Sequence, residues 1–107
     1  MTRILIADDH AIVRDGLRRI LESAAGLAVA GEAVNGDEVM ARVRAGGFDL
    51  LLLDMSMPGK SGIELIKWVK ATRPELALLV LSMHQEDQYA VRAIRAGAAG
   101  YVTKEAA

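Results

Sequence analysis

Four consecutive leucines, Leu50 to Leu53, lead directly into Asp54. Side chains alternate between the two faces of a β-strand, so a strand that is apolar at every position needs cover on both faces. Strands of this kind occur in parallel sheets, where helices pack on each side. The leucine run therefore constrains the fold more strongly than any other feature of this 107-residue chain.

Four other short runs, rich in aliphatic or β-branched residues, also have the character of strands. The five predicted strands cover residues 3–7, 27–33, 49–53, 76–81 and 99–103. Four longer stretches with helical spacing of apolar residues separate them. This alternation predicts an α/β fold, in which a parallel sheet is covered by helices on both faces.

The predicted helices are amphipathic. The first has an apolar stripe at Val13, Leu17, Ile20, Leu21 and Ala24 and a polar face at Arg14, Asp15, Arg18, Arg19 and Glu22. The second begins at a capping box made by Asn35 and Glu38, before Val39 and Val43. The third follows Gly62, and its apolar residues are Leu65, Ile66 and Val69. The fourth starts with Glu86 and Asp87, which suit the positive end of a helix dipole. Its apolar residues are Ala90, Ala93 and Ile94, and it ends at Gly97.

Composition narrows the class of protein. The chain is 52% apolar and 25% charged, which suits one globular domain. Its net charge of −1 gives no general attraction to nucleic acid or to an anionic membrane. It has no cysteine, so disulfides and thiolate sites are excluded. The apolar run from Ile4 to Ala7 is too short for a signal peptide or a membrane span, and we expect a cytoplasmic protein.

Polar residues collect where the predicted strands end. Asp8 and Asp9 follow the first strand, Asp54 the third, Ser82 the fourth and Lys104 the fifth. In open parallel sheets, ligands bind beyond the carboxyl ends of the strands. We therefore expect these side chains to share one edge of the sheet.

Three carboxylates at one edge repel one another unless a cation lies between them. Asp8, Asp9 and Asp54 offer the hard oxygen ligands that Mg²⁺ prefers. Taken alone, Asp9 could simply cap the first helix while Asp8 is solvated. The third aspartate, on a separate strand, favours the metal site.

A carboxylate beside Mg²⁺ can also attack phosphorus and form an aspartyl phosphate. Asp54 is the candidate nucleophile, because it alone follows a fully apolar strand and precedes a turn. Ser82 and Lys104 would supply a hydroxyl donor and a positive charge for the phosphoryl oxygens.

These residues lie in segments that resemble the receiver domain of bacterial two-component response regulators. The segments "ILIADDH", "LLLLDMSMPGKSGIEL", "LVLSMH" and "AGAAGYVTK" occur in the family's order and spacing over the full length of the chain. The longer stretch "DDHAIVRDGLRRIL", with "GEAVNG" and "GAAGYVTK", resembles the NarL/FixJ class.

The resemblance implies a flavodoxin/CheY-like doubly wound sheet of five parallel strands in the order 2-1-3-4-5. It implies that Asp54 accepts a phosphoryl group from a sensor histidine kinase. Asp8, Asp9, Asp54 and the backbone carbonyl of Ser56 would hold Mg²⁺. Ser82 and Lys104 would bind the phosphoryl group, and Tyr101 would change rotamer with Ser82. The chain would act as a signalling phosphoacceptor that controls transcription, and not as an enzyme with its own substrate.

Two departures from the family pattern shape further expectations. Glu105 follows Lys104, where many receivers have proline. The chain also stops at Ala107, where a fifth helix would begin and well before the class's helix-turn-helix domain. We therefore expect aliphatic side chains of the first and fifth strands to face water, giving a homodimer or domain-exchanged oligomer. The alternative is that the chain is an incomplete part of a longer regulator. We expect no DNA binding by this chain itself.

Three other functions fit parts of the pattern. An Asp-nucleophile phosphohydrolase usually has a second aspartate two positions after the first, and this chain has Ser56 there. A flavodoxin-like cofactor binder needs a hydroxyl- and glycine-rich loop after the first strand, where "DDH" stands instead. A pseudo-receiver that only dimerises would not need the complete acidic set.

Overall fold

A computed structural model describes residues 1–55, 57, 62–82 and 87–103, without the side chains of residues 87–89 and 103. Strands and helices alternate along these residues. The elements are β1 Thr2–Ala7, α1 Ala11–Glu22, β2 Leu27–Ala33, α2 Gly36–Ala45, β3 Leu50–Asp54, α3 Gly62–Thr72, β4 Ala77–Ser82, α4 Asp87–Arg95 and β5 Gly100–Thr103. Each predicted strand agrees with the observed one to within one residue at either end.

The five strands form one parallel sheet in the order β2-β1-β3-β4-β5, which confirms the predicted fold class. The leucine strand β3 lies in its centre, between β1 and β4. Leu53 is in register with Ala7 on one side and with Val80 on the other. Within the part of the chain that the structure describes, every helix is too short or too polar to cross a bilayer.

Both faces of β3 are covered, which explains its run of leucines. Leu51 and Leu53 belong to a core that includes buried residues of α2, α3 and α4. Leu52 belongs to a smaller core on the other face, where Leu17 and Leu21 of α1 pack. Burial of such a side chain stabilises the fold by about 1.5–3 kcal/mol, so the leucine run holds the centre of the sheet in place.

The predicted apolar stripe of α1 is partly wrong. Leu17 and Leu21 pack against the sheet, but Ile20 is 65% exposed. Ile20 lies about 60° around the helix from Leu17, outside the stripe that one sheet face can cover. Ala24 lies beyond the end of the helix and is exposed. In α4, Ile94 is likewise 53% exposed, while Ala93 is buried as predicted.

The expectation that aliphatic side chains of the first strand face water is wrong. Ile4 and Ile6 are fully buried, because Leu17 and Leu21 of α1 pack on the core they form with Leu52. On β5, Val102 is partly exposed, as expected for that strand.

The predicted limits of α2 and α4 are confirmed where the structure describes them. The Asn35 side chain accepts a hydrogen bond of 2.8 Å from the Glu38 backbone N–H, as an N-cap should. The Glu38 carboxylate accepts one of 2.9 Å from the Val34 N–H. Gly97 follows α4 with a φ of +120°, which L side chains rarely adopt. Glu86, the predicted start of that helix, lies outside the described residues.

Ion pairs join α1 to β2. The Arg14 Nε atom lies 2.8 Å from Glu32 Oε1, and an Arg18 Nη atom lies 2.5 Å from Glu32 Oε2. The sequence predicted both arginines on the polar face of α1, and the structure shows that this face meets Glu32 of β2. The hydrogen bond from Arg18, helped by Arg14, lowers the pKa of Glu32, and the same bond raises the pKa of Arg18.

The lowered pKa of Glu32 predicts a pH-dependent contribution to stability. The contribution is fully present above the ordinary glutamate pKa of 4.5 and is lost as pH falls through the lower folded-state pKa. Glu32→Gln should therefore reduce the free energy of unfolding by up to about 1 kcal/mol at neutral pH. The difference from the wild type should shrink below pH 4.5, when measured by urea denaturation.

Glu22→Gln is the matched control. Glu22 lies 3.6 Å from Arg18 and its side chain is 44% exposed, so this pair should contribute less than the Glu32 pairs. If the loss of unfolding free energy caused by Glu32→Gln stayed constant from neutral to acidic pH, the pKa of Glu32 would not be lowered by the arginines.

Candidate functional site

Three strands of the sheet bring buried polar residues to its carboxyl edge. Asp8 directly follows β1, Asp54 ends β3 and Ser82 ends β4. Because Ala7 is in register with Leu53, Asp8 and Asp54 leave neighbouring strands at the same level. Asp8, Asp54 and Ser82 are 0%, 1% and 3% exposed, although polar groups are rarely buried without a partner. Each of them has an interaction partner.

The acidic residues converge as predicted. One ligand atom from each of Asp8, Asp9, His10 and Asp54 can be chosen so that all four lie within 4.8 Å of one another. The Asp9 side chain is 31% exposed and that of His10 is 61% exposed, so the cluster opens to solvent on that side. The buried aspartates form its floor.

Backbone contacts hold Asp8 in place. Its N–H donates a 3.0 Å hydrogen bond to the Ala33 carbonyl at the end of β2. Its Oδ1 atom accepts a 2.8 Å hydrogen bond from the His10 N–H. The loop after β1 is thereby folded back on the Asp8 carboxylate. Where the structure describes the chain, every buried side-chain nitrogen or oxygen has a hydrogen-bond partner.

His10 is the N-cap residue of α1 and part of the cluster. Its Nδ1 atom lies 3.1 Å from Asp8 Oδ1 and 3.1 Å from Asp9 Oδ1. The alternative in which Asp9 caps the helix is wrong, because the cap position belongs to His10 and has no side-chain cap bond. An imidazole beside two carboxylates adds a nitrogen atom to the set of possible ligands.

The donor set fits a divalent cation. Three carboxylates that each place an oxygen within 4.8 Å of the others supply hard ligand atoms, and a cation between them would offset their mutual repulsion. The open side leaves room for water or substrate oxygens, which Mg²⁺ usually retains. The arrangement can therefore bind a metal and an oxyanion side by side.

Tyr101 lies on β5, beside the strand that carries Ser82. It is in register with Val80, and its partly buried side chain packs on the larger core. Ser82 is in register with Thr103, one residue before the predicted lysine. Lys104, Glu105 and Ser56 lie outside the described residues, so the predictions for them stay predictions.

Sequence reasoning missed a residue that contacts the site from α1. The Arg14 Nη1 atom donates a 2.8 Å hydrogen bond to the backbone carbonyl of Asp8. The spacing of Arg14 and Arg18, one helical turn apart, could have suggested a shared acidic partner. That partner, Glu32, became identifiable only from the pairing of β2 with β1.

Comparison with known proteins identifies the same family that the sequence motifs resemble. Residues 4–107 match the family model described as the response regulator receiver domain. The chain is 40% identical to the response regulator UvrY of Escherichia coli over 107 residues, all of this chain and 49% of that protein. It therefore spans about half the length of the curated relatives that it matches.

Two solved structures are also similar. One is RcsB from Salmonella enterica serovar Typhimurium, bound to promoter rprA in the presence of the phosphomimetic BeF3−. It has a TM-score of 0.92 and 32% identity, over 99% of this chain and 61% of that one. The other is a response regulator from Burkholderia pseudomallei with a phosphorylated aspartic acid, a calcium ion and citrate. Its TM-score is 0.86 and its identity 31%, over 97% of this chain and 60% of that one.

The acidic cluster predicts stabilisation by divalent cations. A cation that binds only the folded chain should raise the free energy of unfolding by about 1.4 kcal/mol when its concentration is ten times its dissociation constant. Asp54→Asn should remove most of this increment, as measured by thermal denaturation with and without MgCl₂. Glu75→Gln, an exposed change beside the amino end of β4, is the control and should keep the increment. If the cation raised the free energy of unfolding equally in both variants, it would bind at another site.

Proposed function

Because this chain belongs to the response regulator receiver domain family, we propose that Asp54 accepts a phosphoryl group from a phosphorylated histidine of a sensor kinase. One observation carries the proposal. The buried Asp54 at the end of the leucine strand has a carboxylate oxygen within 4.8 Å of carboxylate oxygens of Asp8 and Asp9. An aspartate that only ended a strand would have no need of two further carboxylates beside it.

Asp8, Asp9 and Asp54 would hold Mg²⁺, together with the backbone carbonyl of Ser56, as the family resemblance implies. When bound, the ion supplies positive charge to the phosphoryl oxygens as charge develops on them. The carboxylate-rich donor set supports this choice, since hard oxygen ligands suit Mg²⁺. His10 would stay at the solvent side of the cluster, against Asp8 and Asp9.

Asp54 would act as the nucleophile. A carboxylate oxygen forms the new P–O bond while the P–N bond to the donor histidine breaks and its electron pair stays on the leaving nitrogen. The tight packing of β3 fixes the position of Asp54, since Leu53 before it is fully buried. This rigidity orients the nucleophile without a loss of side-chain entropy during the reaction.

Ser82 and Lys104 would bind the phosphoryl oxygens by a hydroxyl hydrogen bond and a positive charge. A phosphoryl group adds about −1.5 to −2 charge and strong acceptor oxygens, so these residues would bind the phosphorylated state more strongly. That difference would shift the conformation of α4 and β5. Tyr101 would follow Ser82, and its place on the adjacent strand supports this coupling.

The chain would be a signalling phosphoacceptor without a substrate of its own. Ser56 stands two positions after Asp54, where phosphohydrolases that use an aspartate nucleophile usually have their second aspartate. A missing general acid favours a phosphoaspartate that persists long enough to carry a signal. Ser56 therefore argues against a phosphohydrolase, and the acidic cluster of Asp8, Asp9 and Asp54 argues against a pseudo-receiver that only dimerises.

The wider role we propose is control of transcription in the cytoplasm, where response regulators typically act. The similar RcsB structure has a promoter bound in the presence of a phosphomimetic. The present chain would supply the phosphorylation-dependent switch, and a helix-turn-helix domain of the NarL/FixJ class would contact DNA.

Incubation with acetyl phosphate and MgCl₂ tests the central proposal. Intact-mass spectrometry should detect one added phosphoryl group per chain in the wild type. Asp54→Asn should show none, since an amide is a poor nucleophile, and EDTA should abolish the adduct in the wild type. Asp15→Asn, an exposed change on α1, is the control and should be phosphorylated like the wild type. Absence of the adduct in a folded, Mg²⁺-loaded wild type would overturn the proposal.

We also propose that the chain self-associates, as a homodimer or a domain-exchanged oligomer. The support is apolar surface on α4 and β5, where Val91, Ile94 and Val102 are 48%, 53% and 36% exposed. Sedimentation velocity should show a dimer at micromolar concentration, and Ile94→Glu should shift it to monomer. Ile12→Glu, on the far helix α1, is the control. A wild type that stays monomeric across the concentration series would contradict the proposal.

A further inference from the structure

We propose that Arg14 is a positioning residue for the metal site, that it orients the peptide joining Asp8 to Asp9, and that Glu32 holds Arg14 in place. The inference rests on the proposed function, in which Asp8 and Asp9 are metal ligands. It assigns a role to two residues that lie on different elements, α1 and β2, and that are outside the acidic cluster itself.

Arg14 forms two hydrogen bonds from one guanidinium group. Its Nη1 atom donates to the Asp8 carbonyl at 2.8 Å, and its Nε atom donates to Glu32 Oε1 at 2.8 Å. The planar guanidinium holds its donors in a fixed fork, so a bond at one donor limits the direction of the other. With only 17% of its side chain exposed, Arg14 is held between the loop after β1 and strand β2.

The hydrogen bond from Arg14 Nη1 is accepted by the backbone carbonyl of Asp8, and this acceptor determines what Arg14 can restrain. The Asp8 carbonyl belongs to the planar peptide unit that ends at the Asp9 Cα atom. Rotation of that plane would change the directions in which both aspartate side chains leave the backbone. The Asp8 N–H is already bound to the Ala33 carbonyl. Arg14 therefore completes the restraint, by binding the other side of the same residue.

The positive charge of Arg14, considered alone, would weaken Mg²⁺ binding and not support it. A guanidinium close to a metal site repels the cation, so removal of Arg14 would strengthen Mg²⁺ binding if electrostatics dominated. Glu32 reduces that repulsion, because its carboxylate pairs directly with the guanidinium. The two explanations thus predict changes of opposite sign in the affinity for Mg²⁺.

Arg18 provides a matched control on the same helix. It binds the other oxygen of Glu32, and its second ion-pair partner is Glu22, so neither partner is a candidate metal ligand. Arg18→Ala and Arg14→Ala each remove one positive charge and one contact to Glu32. Only Arg14→Ala removes the bond to the Asp8 carbonyl.

The test is isothermal titration of the metal-free chain with MgCl₂, for the wild type and for Arg14→Ala, Arg18→Ala and Glu32→Gln. Loss of a residue that orients metal ligands typically weakens metal binding 10-fold or more, so we expect Arg14→Ala to raise the dissociation constant about tenfold. Arg18→Ala should stay within about twofold of the wild type, since no ligand moves. Glu32→Gln should weaken binding to an intermediate degree, because Arg14 loses its charged anchor. Amide chemical shifts of Asp9 and His10 without metal should move in Arg14→Ala and not in Arg18→Ala.

Each outcome has one meaning. Unchanged or tighter Mg²⁺ binding by a folded Arg14→Ala overturns the inference and leaves the proposed function standing. Equal weakening in the two arginine variants also overturns it, since it would reflect a general loss of stability. If circular dichroism shows that Arg14→Ala is unfolded, Arg14→Met decides, because it keeps the aliphatic packing of the side chain but loses the hydrogen bond to the Asp8 carbonyl, and unchanged or tighter Mg²⁺ binding in that variant overturns the inference. A wild type that does not bind Mg²⁺ at all overturns the proposed function and this inference with it.

Discussion

The parallel pairing of β1 with β3 is the constraint on which the rest of the structure depends. Ala7 and Leu53 are opposite each other, so the next residue on each strand, Asp8 and Asp54, leaves the sheet at the same level. Their convergence is a property of register, and a shift of one residue between β1 and β3 would take Asp54 out of line with Asp8. The aliphatic cores on the two faces of β3 therefore hold the carboxylates together.

Such a site opposes the stability of the fold that carries it. Asp8 and Asp54 are almost fully buried, and buried carboxylates close to one another disfavour the folded chain. The structure offsets part of this cost with the hydrogen bond from the His10 N–H to Asp8 Oδ1. A bound cation would offset it further, so metal binding and folding would then be linked.

Prediction from sequence succeeded where the local pattern and the final environment agree. The central strands are apolar at successive positions because both faces are buried, and their limits were predicted to within one residue. Prediction failed on α1, where an amphipathic pattern can indicate which side is polar but not what the polar side meets. Ile20 was assigned to the apolar stripe, yet it is 65% exposed, and the pattern gave no partner for Arg14 and Arg18, which both bind Glu32. Ile4 and Ile6 were expected to face water, yet α1 covers them.

The amino-acid sequence by itself determined the α/β class, the positions of the strands and the identity of the acidic residues at their ends. These follow from hydrophobic periodicity and from the rule that parallel strands present their carboxyl ends to one edge. Only the tertiary structure decided that Arg14 reaches the Asp8 carbonyl and that Glu32 of β2 binds Arg14. Those contacts join residues through the packing of α1 on β1 and β2, and such distances depend on how whole elements pack and not on local sequence.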